Sequence, residues 1–396
     1  MWADALLLVL ALPVVVACGY LLLLTLLSGD KPAPARVAPR LKFDIIVPAH
    51  NEEAGIARTV TNLSAMDYPA ALRRILVVAD NCSDSTADRA REAGATVLVR
   101  HDTEKRGKGF ALAHAFEHSV KDGFADAVVV VDADTEVSPH LLHSFGLRLE
   151  AGAHAVQAHY GVLNPHASWR TRLMTIALAL FHKVRSLGRE RLGVSCGLRG
   201  NGMCFSHRVI QEVPHDAFSI VEDLEYGIRL GRKGYRVHYA WEAEVLGEMV
   251  SSEKAARSQR RRWDGGRWAM TKQFGVPLLG EALRKRDGVL LDLAMDLLVP
   301  PLSYVVLGAV AVAMAAGALS VWQGHVALST SAAAFCVGSL GLYVLRGWWV
   351  SGMGARGLVD LMRAPFYVFW KVWLMVAGPR DKKGEWVRTT REARKP

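Results

Sequence analysis

The chain has 396 residues, 51% of them hydrophobic, and carries a formal net charge of +10. That hydrophobic share sits at the top of the soluble range, and it is local, lying at the N-terminus and in the last third. The positive charge suits nucleic acid, an anionic membrane surface or an anionic small molecule, and the apolar segments make the membrane the simplest of these. The five cysteines are odd in number and no pair has CxxC spacing, so neither a disulfide framework nor a zinc site is suggested, and reduced thiols are expected.

Taken in chain order, Ala5 to Leu27 is an uncharged apolar run long enough to span a bilayer, which takes about 20 residues. Asp4 precedes it and Lys31, Arg36, Arg40 and Lys42 follow it, the reverse of a secretory signal. The positive-inside rule then places the N-terminus outside and the next domain in the cytoplasm. Two further spans are expected, from about Pro300 to Val321 and from Val326 to Leu345. The helix before them carries Asp292 and Asp296 at i,i+4 spacing, and these acids are expected on one face toward water. Leu358 to Gly378 contains Asp360, Arg363 and Lys371 and reads as an interfacial helix. Leu173 to Phe181 is apolar but too short to span, so it packs inside the soluble part or lies on the membrane. The expected organisation is a membrane helix over 1–28, a linker over 29–42, an α/β domain over 43–275, a membrane region over 276–378 and a basic tail over 379–396.

Within the α/β part, FDIIVPA, RILVVAD, TVLV and AVVVVD read as short buried strands, with helical patterns such as GFALAHAFEHSV between them. This alternation predicts a mostly parallel sheet with helices on both faces. Ligands then bind at the carboxyl ends of the strands. Those ends carry His50, Asn51 and Glu52, then Asp80 and Asn81, then Asp132 and Asp134. Asp and Asn also cap helices, which accounts well for any one of these positions, Asn51 above all, but poorly for three strand ends together. There is no Walker A sequence, and GMGARG (Gly352, Gly354, Gly357) follows a membrane span rather than a strand, so it is set aside.

Asp132 and Asp134 stand two residues apart at a strand end. Two close carboxylates raise each other's pKa unless a cation joins them. A hard divalent ion, Mg²⁺ or Mn²⁺, is held by one or two carboxylates and completed by substrate phosphates.

The order AHNEE, VVADNCSDST, RGKGFAL, VVDADT, SCGLRGNGMCF, IVEDLEYGIRL and QRRRW, from about Phe43 to Trp263, resembles the family 2 glycosyltransferases, in particular the membrane-embedded cellulose, hyaluronan and chitin-oligosaccharide synthases. The resemblance implies a GT-A fold and a nucleotide-sugar donor, with a UDP-sugar favoured. It implies that Glu52 and Asp80 contact the nucleoside and Lys108 the phosphates. Asp132 and Asp134 engage the diphosphate through the metal. Asp223 is the general base, and Gln259, Arg262 and Trp263 form a QxxRW motif at the acceptor and diphosphate. The tail residues Trp386, Thr389 and Arg391 distantly resemble a gating segment, the other reading being a plain basic tail. Three functions are compatible with this set: transfer to a growing cell-surface polysaccharide, transfer of one sugar to a ceramide-like or polyprenyl-phosphate lipid, and a non-enzymatic nucleotide-binding sensor or scaffold. The partners expected are the donor, a saccharide or lipid-linked acceptor, the bilayer and export or co-synthase subunits. Nucleic acid is not among them, because Arg260 to Arg262 lie beside a membrane and a diphosphate site.

Overall fold

In the computed structural model, residues 2–35, 38–249 and 263–363 are described. Strands β1 (Phe43–Ala49), β2 (Arg73–Asp80), β3 (Thr96–Arg100) and β4 (Ala127–Val130) lie parallel in the spatial order β3-β2-β1-β4. Strands β5 (Thr135–Val137), β6 (Ala155–Val162), β7 (Met203–Ser206) and β8 (Val237–Gly247) extend the sheet as β4-β7-β6-β8-β5. The sheet is mostly parallel, as expected: β6 and β8 run with β1 to β4, while β7 runs antiparallel to both β4 and β6, and β5 antiparallel to β8. The reversal matters for the site. Met203, the first residue of β7, pairs with Val130, the last of β4, so the loop entering β7 lies at the same sheet edge as the ends of β1, β2 and β4.

Strand side chains alternate between two cores, as the two-residue period of a strand requires. Ile45, Val47, Val77 and Val129 pack under the Ile56–Ser64 and Leu141–Glu150 helices. Ile46, Leu76, Val78, Val128 and Val130 pack under the Lys108–Asp122 and Glu222–Arg232 helices. Burial on both faces explains why these strands read as continuous apolar runs.

Among the described residues three helices, Trp2–Leu27, Leu302–Gln323 and Ser329–Ser351, are long and apolar enough to cross a membrane. The first and last run parallel and are pinned at both ends. Asp4 accepts the backbone N–H groups of Leu328 (2.7 Å) and Ser329 (2.9 Å), and Arg346 donates to the Ser28 carbonyl (2.7 Å) and to Asp30 (2.9 Å). Beyond them, the interfacial segment expected over 358–378 lies largely outside the described residues, which end with the Gly354–Leu361 helix and its last turn.

The short apolar run at 173–181 packs inside the protein, Leu178 and Met174 against Val162 of β6 and Ile176 and Leu180 against the apolar helices. It belongs to a continuous helix made of Trp169–Leu178, a π-helical turn Ala179–Val184 and Arg185–Leu192. This helix joins the sheet to the apolar helices. A Cβ on Gly347 would stand 2.3 Å from Leu180, and one on Gly188 would stand 2.6 Å from the Leu24 carbonyl oxygen, so both contacts need glycine. The Tyr343 hydroxyl also donates to the Leu180 carbonyl, at 3.1 Å.

Asp292 and Asp296, on the Gly288–Leu298 helix, correct an expectation. They are 6% and 2% exposed rather than facing water. Arg189 reaches Asp292 at 3.2 Å and Asp296 at 2.7 Å, and Arg185 reaches Asp296 at 3.0 Å. Tyr20, on the first apolar helix, donates to Asp292 at 2.8 Å and accepts from Arg189 at 2.7 Å. Charged groups taken out of water require such partners, and these lie about a hundred or more positions away in the sequence.

Candidate active site

The chain turns sharply after β1 and after β2. Asn51 and Asn81 both adopt left-handed backbone angles, φ 55° and 51°, which asparagine tolerates better than most residues. Each then uses its side chain to hold the neighbouring loop. Asn51 Oδ1 accepts from the Ser83 N–H at 2.8 Å, and Asn81 Oδ1 from the Asp102 N–H at 2.9 Å. Asn51 is thus a bridge between strand ends and not the cap of the following helix, whose N-cap is Gly55. The His50 ring meets the Asp80 carbonyl at 2.8 Å, and the Glu52 N–H donates to Thr86 Oγ1 at 2.7 Å. The Asp80 carboxylate is buried and receives Arg100, the last residue of β3, at 2.6 Å.

After β4, burial alternates through Asp132, Ala133, Asp134 and Thr135, so both aspartates face the open side while Ala133 and Thr135 are buried. Thr59 Oγ1 holds the Ala133 carbonyl at 2.7 Å, and Asn201 Oδ1 accepts the Asp132 N–H at 3.1 Å. Lys108 opens the Lys108–Asp122 helix and reaches across to Asp132 Oδ1 and to the Gly200 carbonyl, each at 2.5 Å, with Glu222 at 3.9 Å. Gly200 has φ 76°, and a Cβ there would stand 3.4 Å from Asp223 Oδ2 and 3.7 Å from Lys108 Nζ. Asp132, Lys108, Gly200 and Asp223 therefore form one continuous surface.

Charges in this group are interdependent. Burial opposes the Lys108 ammonium, but Asp132, Glu222 and Asp223 outweigh it and hold its pKa above the usual lysine value. Burial pushes Asp223 up, against the pull of the Leu224 N–H, Lys108 and Arg199. Glu222 rises to about 7, mainly through burial, with Asp223 adding to the shift and Lys108 resisting it. A carboxyl whose pKa is higher folded than unfolded binds more protons in the folded state, so stability falls as pH rises from about 4.5 toward about 7. Glu222→Gln is expected to flatten the pH dependence of the thermal midpoint across that window. An unchanged slope would remove Glu222 as its source.

Residues 39–266, more than half of the chain, match the model of the glycosyltransferase-like family 2. The chain belongs to this family. It is 26% identical over 242 residues to the probable glycosyltransferase YdaM of Bacillus subtilis, covering 59% of this chain and 57% of that protein. It is 28% identical over 276 residues to the beta-monoglucosyldiacylglycerol synthase of Synechocystis, covering 63% and 54%. It is 24% identical over 234 residues to glucomannan 4-beta-mannosyltransferase 7 of Arabidopsis thaliana, covering 56% and 41%. The chain spans about half the length of the curated relatives it matches. A solved mannosyltransferase of Pyrobaculum calidifontis, in complex with GDP-Man and Mn²⁺, superposes with a TM-score of 0.52 at 19% identity, over 92% of this chain and 99% of that one, which shows a shared fold.

Within this family 2 chain, the fold gathers Glu52, Asp80, Lys108, Asp132, Asp134 and Asp223 along one sheet edge. Gln259 and Arg262 lie outside the described residues, as do Trp386, Thr389 and Arg391. Trp263 begins the helical stretch 263–270. A Cβ on Gly266 would touch Val221 at 2.6 Å, so this stretch lies against the residue preceding Glu222 and Asp223, and Trp263 shares the face of Gly266 by its i,i+3 spacing. The sequence assigns no role to Arg100, Arg199, Asn201 or Glu222. Arg199 and Asn201 lie inside SCGLRGNGMCF, whose glycines 197, 200 and 202 all have positive φ. A run of closely spaced glycines was the available sign that backbone and ligand groups approach closely there.

Proposed function

We propose that the chain is an inverting membrane glycosyltransferase that moves a sugar from a nucleotide-sugar donor, a UDP-sugar for preference, to an acceptor presented at the membrane, with its α/β domain in the cytoplasm. The observation that carries this reading is the division of acids: Asp132 and Asp134 at the open strand end, and Asp223 with a raised pKa, joined through Lys108. Carboxylates whose environments differ in this way suit different roles.

Asp134 and Asp132 supply the hard oxygen donors that Mg²⁺ or Mn²⁺ prefers. Among the described residues no group of three or more His, Cys, Asp or Glu is placed to hold a metal, which fits an ion completed by donor phosphates. Such an ion, when bound, supplies charge neutralisation to the departing diphosphate. Lys108 keeps Asp132 in place and offers a positive charge to the same phosphates. Glu52 and Asp80 border the nucleoside, with Arg100 fixing the Asp80 carboxylate. Asp223 accepts the acceptor hydroxyl proton as that oxygen bonds to C1 and the bond from C1 to the diphosphate breaks. The QxxRW residues Gln259, Arg262 and Trp263 are assigned to the acceptor and the diphosphate.

The acceptor assigned first is a growing cell-surface saccharide. A second reading, one sugar delivered to a lipid, is favoured by the cationic cluster between the site and the apolar helices. The test is turnover by purified protein in lipid, with UDP- and GDP-sugars, Mg²⁺ or Mn²⁺, and product sizing. Nucleotide release that stops on chelation, with a ladder of products, is the expected result, and one added sugar on a lipid selects the second reading. Nucleotide binding without release from any donor would replace both with the sensor.

A further inference from the structure

The Arg199–Asn201 turn, which sets Gly200 against Lys108 and Asp223, is held from the sheet side by one buried side chain. Gln157, on β6, is 1% exposed. Its Oε1 accepts the Arg199 N–H at 2.9 Å, and its Nε2 donates to the Asn201 carbonyl at 2.7 Å and to the Ala158 carbonyl at 2.9 Å. One amide thus closes a ring over Gly200, bonding the residue before it and the residue after it. Exchanging the two amide atoms would set oxygen against oxygen and N–H against N–H, so the turn requires a donor and an acceptor on the same side chain.

From this clamp the turn reaches two walls of the site. Gly200, at φ 76°, gives its carbonyl to Lys108 Nζ at 2.5 Å, and a Cβ on it would stand 3.4 Å from Asp223 Oδ2. Asn201, also 1% exposed, accepts the Asp132 N–H through Oδ1 at 3.1 Å and donates through Nδ2 to Thr135 Oγ1 at 2.8 Å. Its side chain therefore brackets Asp134, with partners at 132 and 135. From Gly202 onward the chain is held by strand neighbours, its N–H on the Val130 carbonyl at 2.9 Å and its carbonyl on the Ala158 N–H at 2.8 Å. Arg199 and Asn201 precede that ladder, and Gln157 gives their backbone the partners a neighbouring strand would supply.

We propose that Gln157 and Asn201 are positioning residues that together set the distance between the acid pair Asp132 and Asp134 and the acid Asp223. The inference rests on the donor-and-base reading above. A misplacement of about 1 Å between reacting groups can cost about 10² in rate, and a buried amide with all its groups bonded restricts such movement.

The test uses the full chain in dodecyl maltoside, with the UDP- or GDP-sugar that the wild type turns over fastest. Gln157→Met keeps the length of the side chain and removes both bonds to the turn. Asn201→Ala keeps the carbonyl for Gln157 and releases Asp132. Transferred sugar and free sugar are counted per nucleotide released, free sugar arising when water takes the place of the acceptor hydroxyl at C1. Binding of the parent nucleotide is titrated with and without Mn²⁺. Each variant is expected to lower transfer about tenfold or more, to raise the share of donor lost to water, and to reduce the gain in nucleotide affinity given by Mn²⁺. Metal-free affinity stays unchanged, because Glu52 and Asp80 stand at other strand ends. A loss of rate that only follows the folded fraction, with the hydrolysed share and the Mn²⁺ gain at wild-type values, makes both residues structural and overturns the proposal. Should one variant fail to fold, the other carries the same reading. Wild-type protein that neither binds nucleotide nor releases it from any donor defeats the donor reading, and this inference with it.

Discussion

Asp223→Asn is expected to lower the rate of sugar transfer by about 10² to 10⁴, the usual contribution of a positioned general base, while leaving donor affinity nearly unchanged. The side chain keeps its size, and its neighbours Lys108, Gly200 and Glu222 keep their positions, so the donor surface at Asp132 and Asp134 is preserved. Under the proposed mechanism, what is lost is the group that takes the proton of the acceptor hydroxyl. Initial rates of nucleotide release, set beside equilibrium nucleotide binding, separate the two effects. Parallel loss of rate and binding would move Asp223 from the reacting centre to the donor pocket. A rate within a factor of a few of wild type would pass the role of base to another carboxyl, with Glu222 the first to examine because its pKa of about 7 is better matched to neutral pH.

Asp296→Ala is expected to be the most destabilising single change at the joint between the sheet and the apolar helices, by about 3–5 kcal/mol, because removing one partner of a buried ion pair leaves the other charge uncompensated. Asp296 is 2% exposed and meets Arg189 at 2.7 Å and Arg185 at 3.0 Å, and Arg267 donates to its carbonyl. The attraction of these arginines overcomes burial and holds its carboxyl well below the usual range. Stability from such a group is present at neutral pH and is lost only as pH falls through its depressed folded value. A large drop in thermal midpoint, with little further loss between pH 7 and pH 5 in the wild type, is the expected pair of observations. A midpoint near wild type for Asp296→Ala would mean that water already serves the cluster.

The same cluster connects stability to function. Its arginines fasten the sheet to the apolar helices through Tyr20 and, on the other side, border the loop that carries Gly200 and Asn201. The continuous helix from Trp169 to Leu192, seated on Gly347 and against Leu24, fixes the sheet relative to the apolar helices, and under the proposed membrane function it would hold the reacting edge at a constant height above the bilayer.

Much of the architecture was legible from sequence because it depends on local patterns. The runs at 43–49, 73–80, 96–100 and 127–130 are β-branched, short and bounded by turn residues, and each forms a strand. The three long apolar runs form three long apolar helices. Strand ends rich in acids and amides meet at one edge because β1, β2 and β4 are parallel neighbours. Other features required the folded chain. Nothing near β7 in the sequence says that it enters beside β4 in the opposite direction, yet that pairing brings Asn201 to Asp132 and Gly200 to Asp223. Arg100 gains its partner Asp80 only when β3 lies beside β2. The i,i+4 spacing of Asp292 and Asp296 correctly put both on one face, but which way that face turns was set by arginines about a hundred positions earlier. Periodicity and run length are carried by neighbouring residues and can be read directly. The direction of a face, the pairing of a strand and the charge state of a buried acid depend on groups that only the tertiary structure brings within a few ångströms.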